Sequence, residues 1–144
     1  MSRGVRLSIK AKHYHFGEQR TSRCVLEWRK AMIKEFAQKW LEKFRDPNIC
    51  YIELVEHYFA DDCQALGFEM DCGHAFQERY GSAVNNADEL LKIIDEIDDA
   101  RLLGSAIYSQ WRYFNHWAYS GAEILEPKNR EWFIIALKRL EELA

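Results

Sequence analysis

The chain has 144 residues, of which 48% are apolar and 30% are charged, with only two prolines and seven glycines. This composition excludes disordered, collagen-like and low-complexity proteins, and the length suits one domain with a single core. The net charge of −3 is unevenly divided: residues 1–48 carry 12 Lys/Arg against 5 Asp/Glu (+7), and residues 49–144 carry 8 against 18 (−10). We therefore expect a globular domain with a basic amino-terminal part and an acidic remainder.

The chain carries no sequence signal for membrane insertion or export. No apolar run reaches the ~18 residues of a membrane span, and residues 1–16 lack the apolar stretch of a signal peptide. These features predict a cytoplasmic protein that crosses no membrane. Disulfides are characteristic of exported proteins, so the four cysteines are expected to be reduced thiols: Cys24, Cys50, Cys63 and Cys72.

The amino-terminal residues 1–20 are predicted to form a strand or an extended arm. Residues 5–12, VRLSIKAK, alternate apolar and polar side chains, which is the pattern of a strand with one buried face. Basic side chains accompany Tyr14 and Phe16 in this part of the chain. Basic groups beside exposed aromatic rings suit single-stranded nucleic acid. An alternative function is therefore nucleic-acid binding through Arg6, Lys10, Lys12, Arg20 and Arg23.

Two helices are predicted after the arm. Apolar side chains recur every four positions in residues 21–44, which is typical of a long amphipathic helix. Asp46 and Pro47 end this helix and start the next one, because Pro is favoured at the first helical position. The second helix is expected to end at Gly67, a residue suited to the left-handed conformation. The stripe of the first helix is Trp28, Met32, Phe36, Trp40 and Phe44.

The middle of the chain predicts a short helix and then a long apolar stripe. Residues 72–80 form the short helix, which Gly81 ends, and Asn86 is expected to cap the next helix. The stripe keeps one helical phase, so it predicts one buried face. It leaves two alternatives for residues 87–119: one helix, or two helices joined at 98–99 or 104–105. The stripe consists of Ile93, Ile97, Ala100, Gly104, Ile107, Trp111, Phe114 and Ala118.

The carboxyl-terminal residues predict a final helix that starts near Pro127. Its apolar face contains Phe133, Ala136, Leu137, Leu140 and Leu143, with Trp132 beside it. Together the elements predict a mainly α fold in one domain, residues 1–144. This domain is a bundle of five or six helices in residues 21–144, preceded by the short strand or arm.

The sequence contains no signature of catalysis, nucleotide binding or metal binding. It lacks the G-x-G-x-x-G, G-x-x-x-x-G-K and G-x-S-x-G motifs. His57, Cys63, Cys72 and His74 follow the spacing H-x5-C-x8-C-x-H, which common zinc sites do not use. We therefore expect a non-enzymatic protein with no catalytic residues, no metal and no cofactor.

The aromatic stretch GSAIYSQWRYFNHWAYSG, residues 104–121, contains the candidate binding residues. Tyr108, Arg112, Asn115 and Tyr119 are spaced four, three and four, which places them on a second face of the predicted helix. Tyr and Arg are enriched at binding hot spots. A row of six carboxylates in residues 88–99 is predicted to point outward, and it includes Asp95, Asp98 and Asp99.

These residues predict a small intracellular interaction or inhibitor protein that binds a larger protein or nucleoprotein. Small, charge-polarised domains without catalytic motifs serve as inhibitors in phages and mobile elements, and the prediction rests on that analogy. The alternative, nucleic-acid binding by the basic arm, predicts an affinity that falls steeply with salt.

Overall fold

The computed structural model describes residues 18–49, 57–82, 84, 86–116 and 122–144. These residues form six α-helices and two 3-10 turns and contain no strand, which confirms the predicted helical bundle. The turns are Ile94–Glu96 and Ala122–Leu125. The predicted strand at residues 5–12 lies outside the described residues. The helices are α1 (Glu18–Arg45), α2 (His57–Ala65), α3 (Gly73–Tyr80), α4 (Ala87–Lys92), α5 (Ala100–His116) and α6 (Pro127–Leu143).

The two helices α1 and α6 make the most extensive helix–helix contact in the described chain. The rings of Phe44 and Phe133 stack with centroids 4.8 Å apart. Arg130 Nη2 donates to the carbonyl oxygens of Phe44 at 2.6 Å and Asp46 at 2.8 Å. These carbonyls lie at the end of α1, where helical partners are missing. The start of α6 is thereby fixed at the end of α1, and the two helices run antiparallel.

Several helix ends lie where the capping residues predict them. Gly67 and Gly81 have φ of 78° and 68°, in the left-handed region that favours glycine. Asn86 Oδ1 accepts a hydrogen bond from the Glu89 amide at 3.1 Å and caps α4. Pro127 occupies the first turn of α6. The sequence therefore predicted these boundaries from local chemistry.

The predicted apolar stripe does not lie on one helix, because Ile93 and Ile97 fall between α4 and α5 and the described members from Ala100 to Phe114 lie on α5. The chain leaves helical structure after the 3-10 turn and α5 begins at Ala100, so the structure has the break at 98–99, one of the alternatives that the sequence left open. Asp99 Oδ1 accepts a hydrogen bond from the Leu102 amide at 3.0 Å and caps α5. Ile97 is fully buried between the helices, which explains why the apolar phase continues across the break.

Arg139 of α6 binds the segment between α4 and α5 through hydrogen bonds. Arg139 Nη2 donates to the carbonyl oxygens of Ile97 at 2.9 Å and Asp95 at 3.1 Å. The Trp132 indole, also in α6, donates to the Ala87 carbonyl at 2.9 Å. Helix α6 therefore anchors α1, the start of α4 and the turn before α5.

The core is rich in aromatic rings, which come from α1, α2, α3, α5 and α6. The Phe59 ring of α2 is central, because its centroid lies 5.5 Å from Phe36, 5.0 Å from Trp40 and 5.5 Å from Trp111. All four side chains are buried. Trp40 also donates from Nε1 to Asp62 Oδ2 at 2.9 Å, so its polar atom is satisfied at the edge of the core.

The apolar stripe of α1 is buried only in its carboxyl-terminal part. Ile33 and Trp40 are buried, whereas Leu26 and Trp28 keep 61% and 48% of their surface exposed. The predicted stripe is therefore exposed at Trp28, because the other described helices cover α1 only from about Ile33 onward.

The described cysteines are free thiols. Cys63 and Cys72 are buried, and Cys24 is exposed on α1, whereas Cys50 lies outside the described residues. Within the part of the chain that the structure describes, every helix is too short or too polar to cross a membrane.

Candidate functional site

An open groove lies between the carboxyl-terminal half of α5 and the segment that joins α2 to α3. Its volume is about 740 Å³, a size typical of ligand sites. We name it the α5 groove. The joining segment contributes Glu69, Met70 and Asp71, and α5 contributes Ser109, Gln110, Arg112 and Tyr113.

The joining segment is fixed to α5 by hydrogen bonds and by one close ring contact. The Ser105 hydroxyl oxygen accepts a hydrogen bond from the Glu69 amide at 2.8 Å. The Phe68 ring packs against the backbone of Gly104, where no side chain intervenes. Arg101 Nη2 also approaches Glu69 Oε2 at 3.5 Å. These contacts position Met70 and Asp71 as one wall of the α5 groove.

Arg112 and Tyr113 form the exposed part of the opposite wall. Arg112 Nη1 contacts Met70 Sδ at 3.3 Å, and sulfur is a weak acceptor. Arg112 forms no ion pair with another described residue, so most of its guanidinium donors face solvent. The Tyr113 side chain is 47% exposed, and its ring meets Phe114 edge-on at 5.6 Å. The two side chains therefore offer a cation and an aromatic ring side by side.

Gln110 is an unusual member of the groove lining. Its side chain is only 3% exposed, and its Oε1 has no hydrogen-bond partner among the described residues. A buried polar atom without a partner destabilises the fold by about 1–3 kcal/mol. Such an atom beside a groove is a feature that core packing alone does not favour.

Charges of both signs line the α5 groove. Asp71 lies on one wall and Arg112 on the other, and both are exposed. Neither forms an ion pair with another described residue, whereas Glu69 lies near Arg101. The groove therefore presents one carboxylate and one guanidinium to a ligand.

The predicted binding face is only partly exposed. Tyr108 is 3% exposed, and its hydroxyl accepts a hydrogen bond from Gln64 Nε2 at 2.9 Å. Tyr108 is therefore not on an open surface with Arg112, because α2 covers that side of α5. Asn115 lies in α5, but its side chain is outside the described residues, as is Tyr119. Arg112 is the predicted residue that the structure brings into the groove.

The predicted acidic row is exposed except for Asp99, which is half-buried, and two of its members stabilise local structure. Asp98 Oδ1 lies 2.8 Å from the Tyr80 hydroxyl and 3.0 Å from Arg79 Nη2. These two neighbours, Tyr80 first, hold the pKa of Asp98 below its ordinary value. Asp99 caps α5, whereas the Asp95 side chain is exposed.

The acidic row and the α5 groove are separate surfaces. Ala100, at the start of α5, is about 18 Å from Arg112 along the helix, at about 1.5 Å per residue. The residues predicted for binding therefore lie in two places, Arg112 in the groove and the acidic row before α5. The reason is the direction of α5, which carries the groove residues away from the row.

Most of the residues predicted for nucleic-acid binding lie outside the described residues. Arg6, Lys10 and Lys12 are outside the described residues. Arg20 and Arg23 lie in the first turns of α1, where the structure describes the backbone and not these side chains.

Cys63 and Cys72 are buried in the core, which is typical of structural cysteines and not of catalytic ones. Burial raises the pKa of Cys63 well above its ordinary value and raises that of Cys72 to about 11. Both thiols are therefore protonated at neutral pH and are poor nucleophiles. Within the described ranges, no group of three or more His, Cys, Asp or Glu side chains is arranged to hold a metal ion.

Gln110 and Tyr113 line the groove but are not among the residues predicted for binding. Ser109, Arg112 and Tyr113 have the i, i+3, i+4 spacing that places side chains on one helical face. That spacing was a usable signal for Tyr113. No sequence pattern indicated the buried, unpartnered amide of Gln110, since its environment depends on tertiary packing.

No protein-family model, curated protein or solved structure matches this chain.

Proposed function

We propose that this chain is a non-enzymatic interaction protein that binds a segment of a larger protein or nucleoprotein in the α5 groove. The observation that carries the proposal is the exposed pair Arg112 and Tyr113 on the groove wall, with the Arg112 guanidinium outside any described ion pair. Arg and Tyr are the residue types that most often dominate binding energy, because each combines a large contact area with directional polar atoms.

The groove lining indicates the chemistry of the bound segment. Arg112 would pair with a carboxylate of the partner, and Asp71 on the facing wall would pair with a basic side chain. Tyr113 and Met70 supply apolar contact area between these charges. A polypeptide segment with both an acidic and a basic side chain fits this arrangement. A small protein that binds a segment of a larger protein in this way would inhibit it if the bound segment belonged to an active site or a binding surface.

The same lining supports binding rather than catalysis. Nucleophilic catalysis needs a nucleophile and a base within hydrogen-bond reach. Among the described residues that line the groove, Ser109 is a hydroxyl, but there is no histidine or cysteine beside it. The groove residues are therefore better suited to recognition.

The test is affinity capture from a lysate of the native host, with quantitative mass spectrometry of the captured proteins. We expect the wild-type chain to enrich a partner protein that the double variant Arg112→Ala, Tyr113→Ala retains at least about ten-fold less, since each hot-spot residue contributes more than about 1 kcal/mol. The matched control is the double variant Arg45→Ala, Tyr58→Ala, because both side chains are exposed outside the groove.

The control variant should capture the partner as well as the wild type does. Equal capture by the groove variant and the wild type would contradict the proposal. Capture of the partner by the groove variant together with its loss by the control variant would also contradict the proposal.

A further inference from the structure

Among the described residues of α5, one buried polar side chain lacks a partner. The Ser105 hydroxyl binds the Glu69 amide, and the Tyr108 hydroxyl binds Gln64. Gln110 is equally covered, at 3% exposure, yet its Oε1 has no hydrogen-bond partner. Buried amide groups in proteins are nearly always hydrogen-bonded. The unsatisfied group of this helix is therefore one that lines the α5 groove.

The groove residues of α5 form a band around the helix. Each residue of a helix adds a turn of about 100°, so Ser109 and Tyr113 lie about 60° and 100° around α5 from Arg112. Gln110 lies about 160° from Arg112 by the same measure. The four side chains span about 6 Å along the axis, at about 1.5 Å per residue. Arg112 and Gln110 therefore mark opposite ends of the band, with the exposed Tyr113 between them.

A ligand that contacts both ends of the band must cross α5. A helix with its side chains is about 10–12 Å in diameter. An extended polypeptide covers this distance with about four residues, at about 3.3 Å per residue.

The charges of the groove lie at the Arg112 end. Arg112 Nη1 contacts Met70 Sδ at 3.3 Å, and Met70 directly precedes Asp71. A chain of phosphates at this end would meet the carboxylates of Asp71 and Glu69 as well as the guanidinium, so charge disfavours nucleic acid here. A polypeptide can supply both an acidic and a basic side chain, which makes it the complementary ligand.

The Gln110 end is uncharged and offers an amide. The oxygen of this group accepts and its nitrogen donates, and a half-turn about the last side-chain bond exchanges the two atoms. Every peptide unit has the same pair of groups, an N–H and a C=O. A helix uses these groups internally, whereas an extended segment has them free. The Gln110 amide is therefore complementary to the backbone of an extended segment.

We propose that the α5 groove binds an extended segment of at least about four residues, which crosses α5 from Arg112 to Gln110 and donates a backbone N–H to Gln110 Oε1. This inference rests on the protein binding proposed above, and it adds the conformation of the bound segment and the residue that recognises its backbone. The ligand satisfies an atom that the fold leaves unsatisfied, so Gln110 lowers the stability of the free protein and strengthens binding.

The probe is a library of random 12-residue peptides displayed on phage and selected on the immobilised full chain. Counter-selection on the Arg112→Ala, Tyr113→Ala double variant keeps the peptides that need the groove. The selected sequences are synthesised with blocked ends, and fluorescence anisotropy measures their affinities. Each backbone amide is then replaced in turn by an ester, which removes a single N–H donor.

Gln110→Met should weaken binding of the selected peptides about five-fold or more, because a ligand N–H loses its acceptor, and it should raise the melting temperature. A residue that only supports the fold would change both quantities in the same direction. The matched control, Gln38→Met, replaces an exposed amide of α1 and should change neither.

One ester replacement should weaken binding to the wild type to a similar extent and leave binding to Gln110→Met unchanged, which is the coupling expected of two groups in contact. The coupled amide should lie about three or four residues from the acidic residue whose effect disappears in Arg112→Ala. Truncation of the peptides should abolish the Gln110 dependence below about four residues.

The outcomes distinguish this inference from the proposed function. If every peptide that binds the wild type also binds the Arg112→Ala, Tyr113→Ala variant, both are contradicted. Groove-dependent peptides that bind Gln110→Met as tightly as the wild type would overturn this inference alone. Peptides that bind as helices, with no ester replacement coupled to Gln110, would do the same. A wild-type dimer that Gln110→Met dissociates would assign the groove to a second copy and would also overturn it. Circular dichroism of each variant verifies that the fold is intact.

Discussion

Gly104 is the residue at which packing leaves no room for a side chain. A Cβ atom at this position would lie 2.3 Å from the Phe68 ring. Gly104→Ala should therefore destabilise the protein by about 1–3 kcal/mol, the usual range for overpacking, although alanine favours a helix by about 1 kcal/mol. Urea denaturation followed by circular dichroism measures the change.

Gly73 is the matched control, because it is also helical and a Cβ there would meet nothing within 4 Å. Gly73→Ala should raise the free energy of unfolding by about 0.5–1 kcal/mol. If Gly104→Ala were stabilising to the same extent, the Phe68 ring would have to move away from α5, and the anchored wall of the groove would not exist as described.

Gln110 allows a second prediction for a single residue. Replacing its unsatisfied amide by the similar apolar side chain in Gln110→Met should raise the free energy of unfolding by about 1 kcal/mol, because a buried polar atom without a partner is removed. Gln64→Met is the control, since it removes the donor to the Tyr108 hydroxyl and should lower stability by about 1 kcal/mol. A loss in both variants would mean that the Gln110 oxygen has a partner in solution.

At the scale of elements, Tyr80 organises the turn that precedes α5. Its hydroxyl oxygen accepts hydrogen bonds from the amides of Asp98 at 3.2 Å and Asp99 at 3.0 Å, and the hydroxyl donates to Asp98 Oδ1 at 2.8 Å. One side chain from α3 thereby satisfies backbone donors that no helix satisfies. Burial and the bond to Asp98 raise the pKa of Tyr80, so the hydroxyl remains a donor at neutral pH.

Tyr80→Phe should lower the free energy of unfolding by about 1–2 kcal/mol at pH 7, because two amides lose their acceptor. The effect should shrink in acid. The pKa of Asp98 is lowered in the fold, so its stabilising effect is present above about pH 4 and is lost as pH falls through the lowered pKa. Urea denaturation at pH 7 and below about pH 3 tests both points. Tyr58→Phe, at an exposed tyrosine, should have no effect at either pH, and an unchanged pH dependence in Tyr80→Phe would contradict the role of the hydroxyl.

The elements of this fold were largely predictable because their signals are local. Asn86, Gly67 and Gly81 determine helix ends through their own side chains or backbone freedom, and the structure places the ends there. The single apolar phase of residues 93–118 could not locate the break, since Ile97 is buried between the helices as completely as Ile107 is within α5. The Asp99 cap is the local signal that decides it.

The candidate site was less predictable because exposure depends on neighbouring helices. Tyr108 and Arg112 share a face of α5, yet α2 covers only Tyr108. Periodicity identifies which residues share a face, but it contains no information on how far a neighbouring helix extends along it. The same reason explains the exposure of Trp28 at the start of a stripe that is buried from Ile33.

At the scale of the whole molecule, basic side chains of the amino-terminal and carboxyl-terminal parts differ in whether they bind acceptors within the fold. The described arginines beyond residue 78, with the exception of Arg112, hold backbone or carboxylate oxygens of the fold. Arg29, Lys30 and Lys34 of α1 are exposed and form no ion pair with another described residue. Within the described residues, the arginines of the carboxyl-terminal half therefore stabilise the fold, whereas these basic side chains of α1 do not.

The last prediction concerns the cooperativity of the core, which the cysteines report. Cys63 and Cys72 are buried in it and have raised pKa values, about 11 for Cys72, whereas Cys24 is exposed. In a Cys50→Ser variant at pH 8, iodoacetamide should modify Cys24 in the native protein and leave the other two thiols unmodified, because a buried, protonated thiol is a poor nucleophile. Peptide mass spectrometry assigns each modification. As urea rises, Cys63 and Cys72 should become reactive together, at the concentration at which circular dichroism loses the helical signal. Modification of Cys72 before that transition would show that α3 opens on its own and that the core is not one cooperative unit.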